Sequence, residues 1–183
     1  MNKKELVITK YSKYIRDVPD FPKPGIIFKD ITPVFEAPEF ANLVLESMIE
    51  ELKTNNIEFD KIICPEARGF LFGIPLGLML NKPVVLARKP GKLPKPGQSI
   101  TFDIEYGQDT LVVSEDSIKE DEKILIVDDL LATGGSCKAL NQLVESANAK
   151  VAGDLIFLEL TPLRGREKLE PYPVITIVPI EAY

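Results

Sequence analysis

The sequence predicts an α/β fold: a central, mainly parallel sheet flanked by helices. Two observations carry the prediction. Several strand-length apolar runs are continuous rather than alternating, as strands covered on both faces require, and segments with helical spacing lie between them. A chain of 183 residues, 45% hydrophobic and 27% charged, suits a single domain (1–183) with a real core.

The elements follow in order. Residues 3–15 are weakly helical. Residues 18–38 hold Pro19, Pro22, Pro24, Pro33 and Pro38 with Gly25, which argues against a regular helix and for an extended arm. Phe40, Leu43, Val44, Met48, Ile49 and Leu52 recur at helical spacing over 39–55. Phe59 to Cys64 reads as a strand ending at Pro65. Gly69 to Leu80 is apolar nearly all round, a buried helix that Pro75 should kink or interrupt. Val84 to Ala87 is the next strand.

Residues 89–109 break the alternation with Gly and Pro. A short extended piece, Ser99 to Tyr106, could pair back with Leu111 to Val113 as an antiparallel ribbon. Lys123 to Val127 is an apolar strand running into Asp128 and Asp129. A helix over 135–148 and strands over 151–160 and 174–178 complete the pattern. Ligands of such sheets bind beyond the carboxyl ends of the strands, here after Cys64, Ala87 and Val127.

Composition narrows the chemistry. The chain has no histidine, so Ser-His-Asp chemistry, histidine general bases and His-ligated zinc are excluded. Cys64 and Cys137 read as two reduced thiols. No run approaches the roughly 18 apolar residues of a membrane span, and the first ten residues lack the apolar stretch of a signal peptide. The cytoplasm is the default location. A net charge of −6 disfavours nucleic acid as a partner, yet Arg88, Lys89, Lys92 and Lys95 crowd one loop, which suggests a small anionic ligand.

The densest signal is ILIVDDLLATGGS over 124–136. Paired glycines let the backbone aim several N–H groups at one point, and a helix N-terminus adds a field that favours an anion. Asp128 and Asp129, just upstream, are suited to accept hydrogen bonds from ribose hydroxyls. One loop thus matches a sugar phosphate. Neither a Walker A loop nor G-x-G-x-x-G occurs.

VDDLLATGGS resembles the PRPP-binding signature of the type I phosphoribosyltransferases, and its two leucines are similar to those of the adenine-specific members. FPKPGIIFKDITP (21–33), EARGFLFG (66–73), RKPGKLP with EYG (88–107) and LELTPLRGREKL (158–169) match in the same order. The resemblance spans roughly residues 11 to 180. It implies the type I fold, with an N-terminal hood arm at 18–38 and a ribbon flap at 89–109. It implies transfer of the phosphoribosyl group of PRPP to adenine, giving AMP and pyrophosphate in purine salvage, with Mg²⁺ arriving on PRPP rather than in a metal site of the protein. A homodimer is expected.

The resemblance also assigns residues. Asp128 and Asp129 would hold the ribose, and Ala132, Thr133, Gly134, Gly135 and Ser136 the 5′-phosphate. Glu66, Ala67, Arg68, Arg88, Lys89, Lys92 and Tyr106 would meet the pyrophosphate. Ile27 would offer a backbone donor and acceptor to adenine, with Lys29 beside it and Phe28 and Leu130 sandwiching the base. Glu105 would handle the proton of the attacking purine nitrogen. Lys29 stands where many members carry arginine, Ser136 where many carry threonine, and Pro65 before Glu66 is less usual. Two rivals stand beside this reading. RGFLFG, EYG and DDLLATGG argue against a purine transferase for hypoxanthine or guanine. A nucleotide-sensing regulator would need a DNA-binding module or a basic face, and neither is visible in the sequence.

Overall fold

The computed structural model describes residues 2–104 and 107–181. Five parallel strands form the central sheet: β3 (Lys61–Pro65), β4 (Val84–Ala87), β7 (Lys123–Leu131), β8 (Lys150–Leu160) and β9 (Val174–Ile180), in the order β4-β3-β7-β8-β9. The helices are α1 (Lys3–Lys10), α2 (Thr32–Glu36), α3 (Pro38–Thr54), α4 (Phe70–Leu80) and α5 (Gly135–Ser146). β1 (Arg16–Pro19) and β2 (Ile27–Asp30) form one antiparallel hairpin, and β5 (Pro96–Ile104) and β6 (Gly107–Ser114) another.

The period-2 geometry of the strands sorts the core into two layers. Ile62, Cys64, Leu125, Val127, Leu155 and Phe157 face a cluster closed by Val7, Val44, Met48, Phe72 and Leu76 from α1, α3 and α4. Ile63, Ile124, Ile126 and Ile156 face the other side, against Leu140 and Leu143 of α5 and Leu111 and Val113 of the ribbon. Each such fully buried side chain contributes roughly 1.5–3 kcal/mol. The continuous apolar runs are therefore residues buried alternately above and below the sheet.

The chain leaves β3 toward β4 on one side, and then runs from β7 outward through β8 to β9 on the other. The order reverses between β3 and β7, and a crevice opens outside the carboxyl ends of strands at such a point. β3 stops at Pro65, while β7 continues to Leu131 alongside β8.

Four expectations need correction. The arm contains a helix, α2, because Pro33 sits in its first turn, where no N–H is needed; Pro38 likewise starts α3. α4 runs uninterrupted through Pro75. β7 does not end at Val127, since Asp128 and Leu130 pair with Ile156 and Leu158. The ribbon strands are longer than the apolar signal suggests, because a hairpin ladder needs backbone pairing and not apolar residues.

Candidate active site

Two strand ends and one helix start meet at the crevice. β7 carries Asp128 and Asp129 there, 7% and 4% exposed. Asp128 Oδ1 accepts from the Asp129 N–H at 2.8 Å. Arg68 Nε lies 3.0 Å from Asp129 Oδ2, an ion pair whose angles do not make a hydrogen bond. Asp129 Oδ2 is thus without a hydrogen-bond donor. Burial, and then the neighbouring Asp129 charge, push the Asp128 carboxyl well above the usual carboxylate range. Burial also raises Asp129, with Arg68 opposing it.

After Leu131 the chain turns through Ala132 and Thr133 into α5. Gly134, at φ +80°, is the residue that caps the helix, and no side chain caps the α5 amides. The first-turn N–H groups of a twelve-residue helix therefore stand open, with the positive end of its dipole behind them. Thr133 is exposed, and Gly135 and Ser136 are half-buried. Phe102 and Asp103 of the ribbon lie over this loop: a methyl added at Gly135 would sit 3.5 Å from the Asp103 carbonyl.

The loop after β3 forms the facing wall. Glu66, joined to Ala67 by a cis peptide, accepts from the Lys89 N–H at 2.8 Å and from Arg88 Nε at 3.2 Å. These donors hold the Glu66 carboxyl below its ordinary range, the Lys89 amide being the larger cause. Lys89 Nζ pairs with Asp109 of the ribbon. Arg68 reaches the arm as well as Asp129. Its Nη1 donates to the Lys29 carbonyl at 3.4 Å, and its guanidinium lies 4.8 Å from the Phe28 ring centre.

The structure thus gathers Glu66, Ala67, Arg68, Lys89, Asp128, Asp129, Leu130 and Ala132 to Ser136 around one crevice. It does not bring every candidate there. Arg88 is drawn to Glu66 and the Lys92 carbonyl, and the Lys92 side chain is exposed. Lys29 is buried with its ammonium 2.7 Å from Asp17, so only its carbonyl faces Arg68. Phe28 and Ile27 sit on β2 opposite Val18 and Pro19. Pro19 has no N–H, so it cannot donate to the Ile27 carbonyl. Glu105 and Tyr106 lie outside the described residues, between the ends of β5 and β6.

Sequence reading missed Phe102, Asp103 and Asp109, which carry no local signal. It also gave no role to Gly165, whose carbonyl lies so near Gly134 that a Gly134 Cβ would approach it to 2.5 Å. The signal available for Gly165 was its place in LRGREKL.

Residues 31–177 match the model of the phosphoribosyl transferase domain. The adenine phosphoribosyltransferase of Kosmotoga olearia is 48% identical over 165 residues, covering 90% of this chain and 96% of that one. The crystal structure of the adenine phosphoribosyltransferase from Thermoanaerobacter pseudethanolicus superposes with a TM-score of 0.90 at 44% identity, covering 94% of this chain and 99% of that one. The Saccharomyces cerevisiae enzyme, solved with adenine and an imino-altritol bisphosphate, gives 0.89 at 34% identity, over 95% and 99% of the two chains. With those matches over nearly its whole length, this chain belongs to the phosphoribosyltransferase family, among the adenine phosphoribosyltransferases.

Proposed function

We propose that this chain transfers the 5-phosphoribosyl group of PRPP to adenine, releasing pyrophosphate and forming AMP for purine salvage. The observation that carries the site reading is the buried Asp128–Asp129 pair, its Asp129 Oδ2 without a donor, beside an uncapped helix N-terminus in one crevice.

The chemistry follows from the residues. The 5′-phosphate sits on the amides of Ala132 to Ser136, helped by the Thr133 and Ser136 hydroxyls. The ribose hydroxyls donate to Asp128 and Asp129 and supply the donor that Asp129 Oδ2 lacks. Arg68 and Lys89 face the pyrophosphate, with Glu66 and Ala67 offering backbone from the same loop. In the resemblance, Arg88, Lys92 and Tyr106 complete that grip. As the pyrophosphate leaves, positive charge grows at C1 of the ribose, and the two carboxylates below it favour that charge. Mg²⁺ arriving on PRPP would neutralise the leaving group, and the acidic oxygens of Asp128 and Asp129 would suit its hydration shell.

Adenine lies against the arm. Phe28 and Leu130 offer flat apolar surface, and the Ile27 carbonyl, which Pro19 opposite cannot donate to, would accept from the exocyclic amine. A 6-oxopurine presents an acceptor there and leaves that carbonyl unmatched. Glu105 takes or relays the proton from the attacking nitrogen.

A homodimer fits the apolar face of α4. Leu71, Ile74 and Leu78 recur three and four residues apart and are 41%, 40% and 79% exposed, a stripe that a second copy would cover. No helix among the described residues is long and apolar enough to cross a membrane, and the cytoplasm is the proposed place of work.

The test is AMP or nucleotide formation from PRPP, Mg²⁺ and adenine, hypoxanthine or guanine, for the wild-type chain and Glu105→Gln. Turnover confined to adenine, falling about a hundredfold in the variant, supports substrate and base together. Equal turnover of the oxopurines sinks the adenine reading. An unaffected variant removes Glu105 from the proton step.

A further inference from the structure

The segment after β8 is short, polar and outside the crevice lining, yet its backbone lies close against the backbone of the phosphate loop. Gly165 opens a 3-10 turn (Gly165–Leu169) and is buried. A Cβ on Gly165 would overlap the Ala132 carbonyl and come within 2.9 Å of the Gly134 nitrogen. From the other side, a Cβ on Gly134 would come within 2.5 Å of the Gly165 carbonyl. Neither contact ends on a flexible side chain, so neither residue can give way cheaply. The rear of the loop is a backbone-to-backbone seat.

That seat is anchored. Arg166, the next residue, makes a two-pronged contact with Glu159, Nε to Oε1 at 2.8 Å and Nη2 to Oε2 at 2.6 Å. Glu159 is 2% exposed and also accepts from the Thr176 hydroxyl at 2.8 Å, which ties the turn to β8 and β9. Leu169, 1% exposed, pins the other end of the turn in the α5 layer. The guanidinium fork fixes the turn in position and in direction.

We propose that Gly165 is a positioning residue for the 5′-phosphate of PRPP, and that the Arg166–Glu159–Thr176 clamp holds it against Ala132 and Gly134. The inference rests on the reading that Ala132 to Ser136 grip that phosphate. The seat sets the curvature of the loop and hence the aim of its amides. It acts on the phosphate end alone, because adenine contacts lie on β2 and Leu130. Amide donors must be held to a fraction of an ångström to keep their grip.

The experiment compares Gly165→Ala, Arg166→Lys and the cradle variant Thr133→Asp in the full chain. KM for PRPP, KM for adenine, Kd for AMP and the thermal midpoint are measured for each. Gly165→Ala is expected to raise KM for PRPP and Kd for AMP about tenfold or more, with KM for adenine within about twofold. Arg166→Lys keeps the charge but loses the fork, and it should shift the same two constants by about threefold. It also keeps the test decisive if Gly165→Ala does not fold. A role in folding alone would lower the midpoint and the active fraction and leave both KM values in place, which overturns the proposal. Thr133→Asp sets a carboxylate against the phosphate. If it weakens AMP while Gly165→Ala and Arg166→Lys do not, the seat is wrong and the cradle stands. If Thr133→Asp leaves AMP binding unchanged, the cradle reading fails first and the seat with it.

Discussion

Two groups of buried carboxylates sit at the carboxyl ends of adjacent strands and behave in opposite ways. Glu159, on β8, is satisfied within the fold by a two-pronged arginine and a threonine hydroxyl, and that partnership holds its carboxyl below the ordinary range, with Arg166 the larger cause. Asp128 and Asp129, on β7, are equally buried, yet Asp129 Oδ2 has an ion pair and no hydrogen bond, and burial pushes both carboxyls upward. What sets the Asp128–Asp129 pair apart is that it also lines the crevice. The first group serves the architecture. On the proposed reading, the second is held for the hydroxyls of a ligand.

The sharpest way to break the comparison is to remove the satisfied acid. Glu159→Ala strips Thr176 and Arg166 of their acceptor and should lower unfolding stability by about 3 kcal/mol, read by urea denaturation. A loss under about 1 kcal/mol would mean that the clamp is decoration.

Asp154 offers an intermediate case. It is buried on β8, accepts from Asn141 Nδ2 at 3.2 Å, and leaves one oxygen unpartnered. Burial raises its carboxyl from the ordinary 3.8 to about 7. The folded state therefore holds a proton that the unfolded chain releases. The stability this provides is complete below the unfolded value and is lost as pH rises to the folded one. Relative to Asp154→Asn, the wild-type chain should lose roughly 2 kcal/mol between pH 5 and pH 7 and little above that. Parallel stability curves for the two proteins would refute the assignment.

The smallest effect belongs to Lys29. Its ammonium meets Asp17, which is 57% exposed and stays solvated when the pair is broken. Lys29→Met keeps the buried stem and should cost about 0.5–1 kcal/mol, with KM for adenine within about twofold. A tenfold rise in that KM would return the lysine to the base site.

These contrasts also show what the sequence makes legible. The central strands were readable because both faces of β7 and β8 are buried, so that nearly every residue is apolar. The phosphate loop was readable because an acidic pair and two glycines stand together in the chain. The ribbon was only half visible, since its register shifts between Pro96 and Ser99 and that stretch carries no apolar pattern. The extent of β7 was misjudged because charge looked like a strand end, while the pairing with β8 holds the backbone straight through Asp128. Gly165 against Gly134 and Arg88 against Glu66 were invisible, because their partners are distant in sequence and the contacts depend on register. Arg68 was expected at the ligand, but its present ties to Asp129 and to Phe28 could not be read from one loop.

On the proposed reading, Asp128 and Asp129 serve the ribose rather than the fold. Asp128→Asn is nearly isosteric and removes the charge that burial disfavours. The direct measurement is its rate of AMP formation together with its urea unfolding free energy at pH 8. The account predicts a rate lower by about a hundredfold or more and a stability equal to or above that of the wild-type chain. Activity within a few-fold of the wild-type chain, or a stability loss as large as that of Glu159→Ala, would contradict it.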